Sequence, residues 1–184
     1  MIVFRAAKLA AQYNPWLVAG RTGRGAWTGE DLGLKIVSGG QTGVDRAALD
    51  AALELGLACG GWCPRGRRAE DGVIAGRYPL REAPTGEYAV RTTWNVRDSD
   101  ATLILNRGRL SGGSLFTAGE ARRLGRPCLV VDPGDDGALA TTGNWLASHR
   151  PRILNVAGPR ESGRPGIQAL ATNFLRRLLA VTSY

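Results

Sequence analysis

From residue 34 onward, short and almost wholly apolar runs alternate with stretches in which apolar residues recur every three or four positions. Leu34–Ser38, Leu57–Gly60, Ala101–Leu105, Cys128–Val131 and Arg152–Val156 are strand-sized runs. Between and after them, Val44–Leu55, Tyr88–Arg97, Leu115–Leu124, Ala138–Ser148 and Ile167–Val181 carry helical periodicity. In the first of these, Val44, Ala48, Ala51, Ala52 and Leu55 form an apolar face, with Arg46, Asp50 and Glu54 as a polar stripe. Strands that are apolar on both faces must be covered on both faces, and parallel strands need helical crossovers. The pattern therefore predicts a doubly wound α/β domain with a mainly parallel sheet and helices on both faces. Thr42 and Asp45 have capping-box spacing at the start of the first helix.

The chain of 184 residues fits one domain over 34–184, preceded by a segment of different character over 1–33. That segment holds Pro15, Gly20, Gly23, Gly25 and Gly29 beside Trp16, Leu17, Val18 and Trp27. It reads as a disordered extension, a docking arm or the product of an upstream start codon. No apolar run approaches the ~20 residues of a membrane span, and no secretory signal is evident, so a cytoplasmic protein is expected. Three widely placed cysteines, Cys59, Cys63 and Cys128, fit a reducing compartment and behave as small hydrophobes. With His149 as the one histidine, a metal site lacks ligands. The net charge of +8 comes almost entirely from arginine, since only Lys8 and Lys35 are lysines. Scattered arginines read either as a solvated basic surface set by base composition or as partners for small phosphate or carboxylate ligands. Without a basic helix or an aromatic RNA signature, nucleic acid is the weaker partner.

In a parallel sheet the ligand crevice lies outside the carboxyl ends of the strands. The loops predicted there are Gly39-Gly40-Gln41-Thr42-Gly43, Gly61 through Gly72, Asn106 through Ser114, and Ala157 through Ser162. Glycines admit an anion close to the backbone, and free N–H groups at a helix start supply donors. A tight turn also wants glycine, so Gly39–Gly43 alone says little; with Gly112-Gly113-Ser114, which also precedes a helix, it points to phosphate. The first loop lacks the lysine of a P-loop. One histidine excludes most Ser-His-Asp and metal-hydrolase schemes, and His149 itself suits a helix carboxyl end. Asp45, Asp71 and Glu120 remain as acids or bases, with capping, turn and surface roles as their plain alternatives.

The stretch Val37 through Asp50, with its Ser38-Gly39-Gly40-Gln41-Thr42-Gly43 core, resembles the opening of the molybdenum-cofactor carrier family, also described as circularly permuted YpsA-like proteins. The resemblance continues at Gly60 through Arg67, Ala69-Glu70-Asp71-Gly72, Tyr78-Pro79-Leu80, Arg91-Thr92, Asn95-Val96 and Asp98 through Thr102. It ends at Gly112-Gly113-Ser114, Thr117 and Leu154 through Ser162. It implies a Rossmann-like fold of the SMF/DprA–Lonely Guy group, with Arg152–Glu161 equivalent to the strand and loop that open those relatives. It also implies a non-catalytic carrier of molybdenum cofactor, or of a related phosphorylated heterocycle or nucleotide. Homo-oligomers and a molybdoenzyme or cofactor-synthesis partner are implied in the same way. The ligand residues expected are Gly39, Gly40, Gln41, Thr42, Gly43, Asp45, Arg46, Arg65, Arg67, Asp71, Gly112, Gly113, Ser114, Thr117, Gly158, Arg160 and Glu161. Asp45 or Asp71 would accept from the guanine-like pterin edge, and Trp62 or Trp94 would stack on the ring, with a buried core role as the plain alternative for each tryptophan. Glu120, three residues after Thr117, matches the catalytic glutamate of the phosphoribohydrolases. The alternative is thus a nucleoside monophosphate hydrolase using Glu120 and Arg160.

Overall fold

A computed structural model describes residues 33–180. The separate segment expected over 1–33 lies outside the described residues apart from Gly33, as does Val181, expected as the last residue of the terminal helix. In chain order the elements are β1 (Lys35–Val37), α1 (Val44–Glu54), β2 (Ala58–Gly60), β3 (Trp62–Cys63), β4 (Arg68–Ala69), β5 (Gly72–Val73), β6 (Arg81–Glu82), α2 (Tyr88–Arg97), β7 (Ala101–Leu105), α3 (Gly112–Arg123), β8 (Cys128–Val131), α4 (Ala138–His149), β9 (Ile153–Ala157), a 3-10 turn (Glu161–Gly163) and α5 (Ile167–Ala180).

Five strands make one parallel sheet in the order β2-β1-β9-β7-β8. The central strand is β9, the last in the chain. All five residues of β7 are buried, with Leu103, Ile104 and Leu105 fully so; each such side chain contributes about 1.5–3 kcal/mol of burial. Helix α1 packs on α5 and α5 on α4, while α2 packs on α3. Right-handed crossovers put these two groups on opposite faces. Helix α5 buries Ile167, Ala171, Phe174, Leu175, Leu178 and Leu179, the stripe that its 3.6-residue period dictates. Among the described residues no helix is long and apolar enough to cross a membrane.

Residues 62–82 form a layer that local pattern did not predict. The two-residue strands pair β3 with β6 and β4 with β5, outside the main sheet. A small core of Leu49, Cys63, Ile74, Tyr78 and Leu80 sits beneath them. Arg67, in left-handed backbone at φ 50, donates to the carbonyls of Ile74, Ala75, Tyr78 and Leu80. Expected as an anion ligand, it is instead the clamp of this layer. The polar stripe of α1 docks its neighbours: Arg46 pairs with Asp71, Asp50 accepts from Arg77 and Tyr78, and Glu54 pairs with Arg176.

Thr42 does not cap α1. The residue before the helix is Gly43, at φ 76, and no side chain caps there. The hydroxyl of Thr42 donates to Glu70 and accepts from the Glu161 amide at 3.2 Å. A Cβ on Gly43 would lie 2.3 Å from the Pro159 carbonyl oxygen, so only glycine lets the loops after β1 and β9 meet. Helix α3 starts at Gly112, earlier than its apolar period suggests, and β9 runs to Ala157.

Gly43→Ala combines a left-handed backbone with a backbone clash and should lower stability by about 2 kcal/mol or more. Gly119→Ala, in mid-helix with open space around the new methyl, should raise it by about 0.5–1 kcal/mol. Urea unfolding of the two variants checks this; equal effects would mean that the Gly43 junction is slack.

Candidate functional site

The loops after β1 and β9 interlock at the carboxyl edge of the sheet. Val44 N–H donates to Pro159 O at 3.2 Å and Gly43 N–H to Gln168 Oε1 at 3.0 Å. Gly158 is equally constrained, since a Cβ there would lie 2.4 Å from Leu105 O and 2.5 Å from Val44 Cγ2. The start of α1 is thereby occupied by the protein itself. So is the start of α5, where Glu161 accepts from Gly166 N at 2.5 Å and Gln168 N at 2.9 Å. Glu161, expected at a ligand, is the capping carboxylate of the helix that follows β9, satisfying donors a phosphate would otherwise take.

The candidate pterin acceptors are also engaged. Asp45 is 3% exposed and pairs with Arg91 Nη1 at 3.2 Å, while Gln41 N–H donates to it at 3.4 Å. Burial pushes its carboxyl up, against the pull of Arg91 and the Gln41 amide. Gly39 makes this pair possible, because a Cβ there would lie 1.8 Å from Arg91 Nη1. Asp71 makes a two-pronged contact with Arg46 at 3.2 and 3.3 Å. Gly40, at φ 75, is covered by Leu80, whose Cδ1 would lie 2.5 Å from a Cβ; its glycine serves packing of the 62–82 layer. Gln41 Oε1 accepts from Thr42 N and Glu70 N, which fixes the amide orientation. Arg65 is exposed on the outer turn.

Gly112 and Gly113 stand apart from this interlock. A Cβ on either would meet nothing within 4 Å, and among the described residues no side chain caps α3. Ser114 is buried, and Thr117, also buried, donates to Gly113 O at 2.8 Å. Beside the loop between β7 and α3 lies a crevice of about 650 Å³, within the range of small-molecule sites. Arg107, Asp132, Arg164, Gly166, Ile167 and Leu170 line it. The chain leaves β7 and β9 toward opposite faces, so this is the topological switch point of the sheet. Arg107, Asp132 and Arg164 were not singled out from the sequence, because nothing local separates them from other loop arginines and turn aspartates. Trp62 and Trp94 lie elsewhere, in an edge-to-face pair at 4.7 Å, with Trp62 Nε1 donating to Asp98 at 2.8 Å.

Glu120 faces the α2–α3 contact. It accepts from Arg123 Nε and Nη2 at 2.9 and 2.7 Å and from Thr93 at 2.8 Å. Those bonds, Arg123 first and Thr93 next, outweigh burial and hold its carboxyl at about 2. A general acid works best with a pKa near the operating pH, and this group carries no proton to donate at neutrality. Lying eight residues past Gly112, it is also about 12 Å along α3 from the sheet edge.

A depressed carboxyl stabilises the fold fully above its ordinary value of 4.5, and that stability is lost as pH falls toward 2. Glu120→Gln should therefore be less stable than wild type at pH 7, with the gap closing between pH 4.5 and pH 2. Urea midpoints across that range test it; a gap independent of pH would show that ionised Glu120 is not the source.

Comparison with known proteins places this architecture. The model of the circularly permutated YpsA SLOG family matches residues 36–179. A crystal structure from Syntrophus aciditrophicus SB, of a protein named "Putative molybdenum carrier protein", superposes with a TM-score of 0.77. It is 44% identical, over 79% of this chain and 94% of that one. No curated protein matches. A central strand that comes last in the chain is what a permuted order produces. The chain belongs to the circularly permutated YpsA SLOG family.

Proposed function

We propose that this protein binds molybdenum cofactor, or a closely related phosphorylated heterocycle, and carries it without transforming it. The observation that carries the reading is the crevice at the switch point lined by Arg107 and Arg164, together with the uncapped start of α3, to which the loop carrying Arg107 leads. The starts of α1 and α5 already have internal partners. The open N–H groups of Gly112–Ser114 suit an anion. A phosphomonoester and an oxo-metal head fit arginine forks, such as Arg107 and Arg164 in the crevice and Arg160 beside Glu70, outside its lining. Asp132 is the carboxylate that lines this crevice. It pairs with Arg107 Nε at 3.5 Å and accepts from Gly134 N–H at 2.9 Å, and among the described carboxylates it is the one placed to meet the N–H donors of a pterin edge in that crevice. The similar protein named for molybdenum carriage supports the choice of cargo. The geometry of Glu120 favours a carrier over a nucleoside monophosphate hydrolase. Self-association and hand-over to a molybdoenzyme belong to the same reading; Leu115 and Phe116, adjacent and exposed on α3, offer apolar surface for such contacts.

Protein purified from cells that make the cofactor, or loaded with free cofactor, should release a fluorescent oxidised pterin on acid denaturation. No pterin after loading would end the carrier reading. Arg160→Ala should weaken cofactor binding roughly tenfold or more, the scale of one charge-assisted contact. Gly113→Ala should melt near wild type, because its methyl enters open space, yet lose the ligand-dependent rise in melting temperature. A variant that melts lower but gains normally from ligand would show that Gly113 serves the turn alone.

A further inference from the structure

Glu70 was not among the expected site residues, yet its carboxylate sits where the loops after β1 and β9 meet. Oε1 accepts from the Thr42 hydroxyl and from the Ser162 amide at 3.1 Å. Oε2 accepts from the Ser162 hydroxyl, with Arg160 Nε at 3.9 Å. One carboxylate thus gathers two hydroxyls, one backbone N–H and one guanidinium. These donors come from two different strand-to-helix loops on the ligand-binding edge of the sheet, whereas the acceptor comes from the turn between β4 and β5, outside that sheet.

We propose that Thr42, Ser162 and Arg160 form an oxyanion subsite for a phosphate group, and that Glu70 is its resident stand-in, displaced when phosphate enters. This rests on the proposed binding of a phosphorylated ligand and adds where one anion goes and what it must displace. Donors of this kind and number suit a tetrahedral oxyanion, which offers more acceptor oxygens and more charge than one carboxylate. Arg160 is the least engaged with Glu70, 3.9 Å away and with a side chain 48% exposed. Its guanidinium lies over the Tyr88 ring at 5.6 Å, and its exposure lets it close on a larger anion. Displacement requires only a side-chain rotation. The Glu70 amide stays bound to Gln41 Oε1 at 2.9 Å, and Arg67 holds residues 74–80 independently. A resident carboxylate also keeps the donors satisfied without ligand and sets a threshold against weak anions, because any newcomer must compete with it.

The test uses inorganic phosphate as probe, in phosphate-free buffer, by calorimetry on the full chain. Glu70→Gln keeps the shape and removes the competing charge, so it should bind phosphate at least tenfold more tightly than wild type. Adding Ser162→Ala should cancel that gain. In wild type, saturating phosphate should shift the Glu70 carboxyl and Ser162 amide resonances together, a readout independent of how the variant folds. Equal phosphate affinity in Glu70→Gln and wild type, or a phosphate titration that leaves the Glu70 carboxyl unmoved, would overturn the inference. Cofactor binding without phosphate affinity in either protein would overturn it while leaving the carrier reading intact. A phosphate gain in Glu70→Gln without any pterin binding would do the reverse.

Discussion

The site depends on one contact between two pieces of backbone, the meeting of Gly43 with Pro159. The loops after β1 and β9 approach so closely there that neither Gly43 nor Gly158 can carry a side chain. The approach follows from neighbouring parallel strands whose carboxyl ends point the same way. With those loops locked, Thr42 reaches Glu161 and Glu70, Gly43 reaches Gln168, and Ser162 comes to the same carboxylate. A looser junction would scatter all of these groups, because each lies within two or three residues of it or is held by a residue that does.

Several features expected to bind an anion are instead satisfied from within. Glu161 takes the start of α5, Asp45 takes Arg91, Asp71 takes Arg46, and Arg67 is given over to four carbonyls. Buried or half-buried donors and charges are costly when left unpaired, so a protein of net charge +8 places acidic side chains against many of its arginines. What remains open among the described residues includes the buried Gln41 Nε2 and Arg91 Nε, which have no hydrogen-bond partner, the crevice lined by Arg107 and Arg164, and the bare start of α3. The openness of Gly112 and Gly113 contrasts with the crowding at Gly39, Gly40 and Gly43, although the two loops look alike as strings of residues. One glycine loop serves packing, while the other leaves space.

Local physics made much of the architecture legible. The helix Tyr88–Arg97 and the strands Ala101–Leu105 and Cys128–Val131 have the bounds that periodicity predicts, because wholly apolar runs and a 3.6-residue stripe admit few alternatives. Alternation of such runs with helices determined a parallel sheet covered on both faces, and the quoted motifs pointed to the family. The layer over 62–82 was not legible, since strands of two residues have no period to read. Nor was the fate of individual polar residues. Thr42 has a capping residue's spacing, and Glu70 looks like any carboxylate in a turn; which donor meets which acceptor depends on distances between segments far apart in sequence. Spacing along the chain determines which residues share a face. Only the packed structure decides whether that face is already occupied, because a hydrogen bond forms with whatever partner the fold brings within about 3 Å.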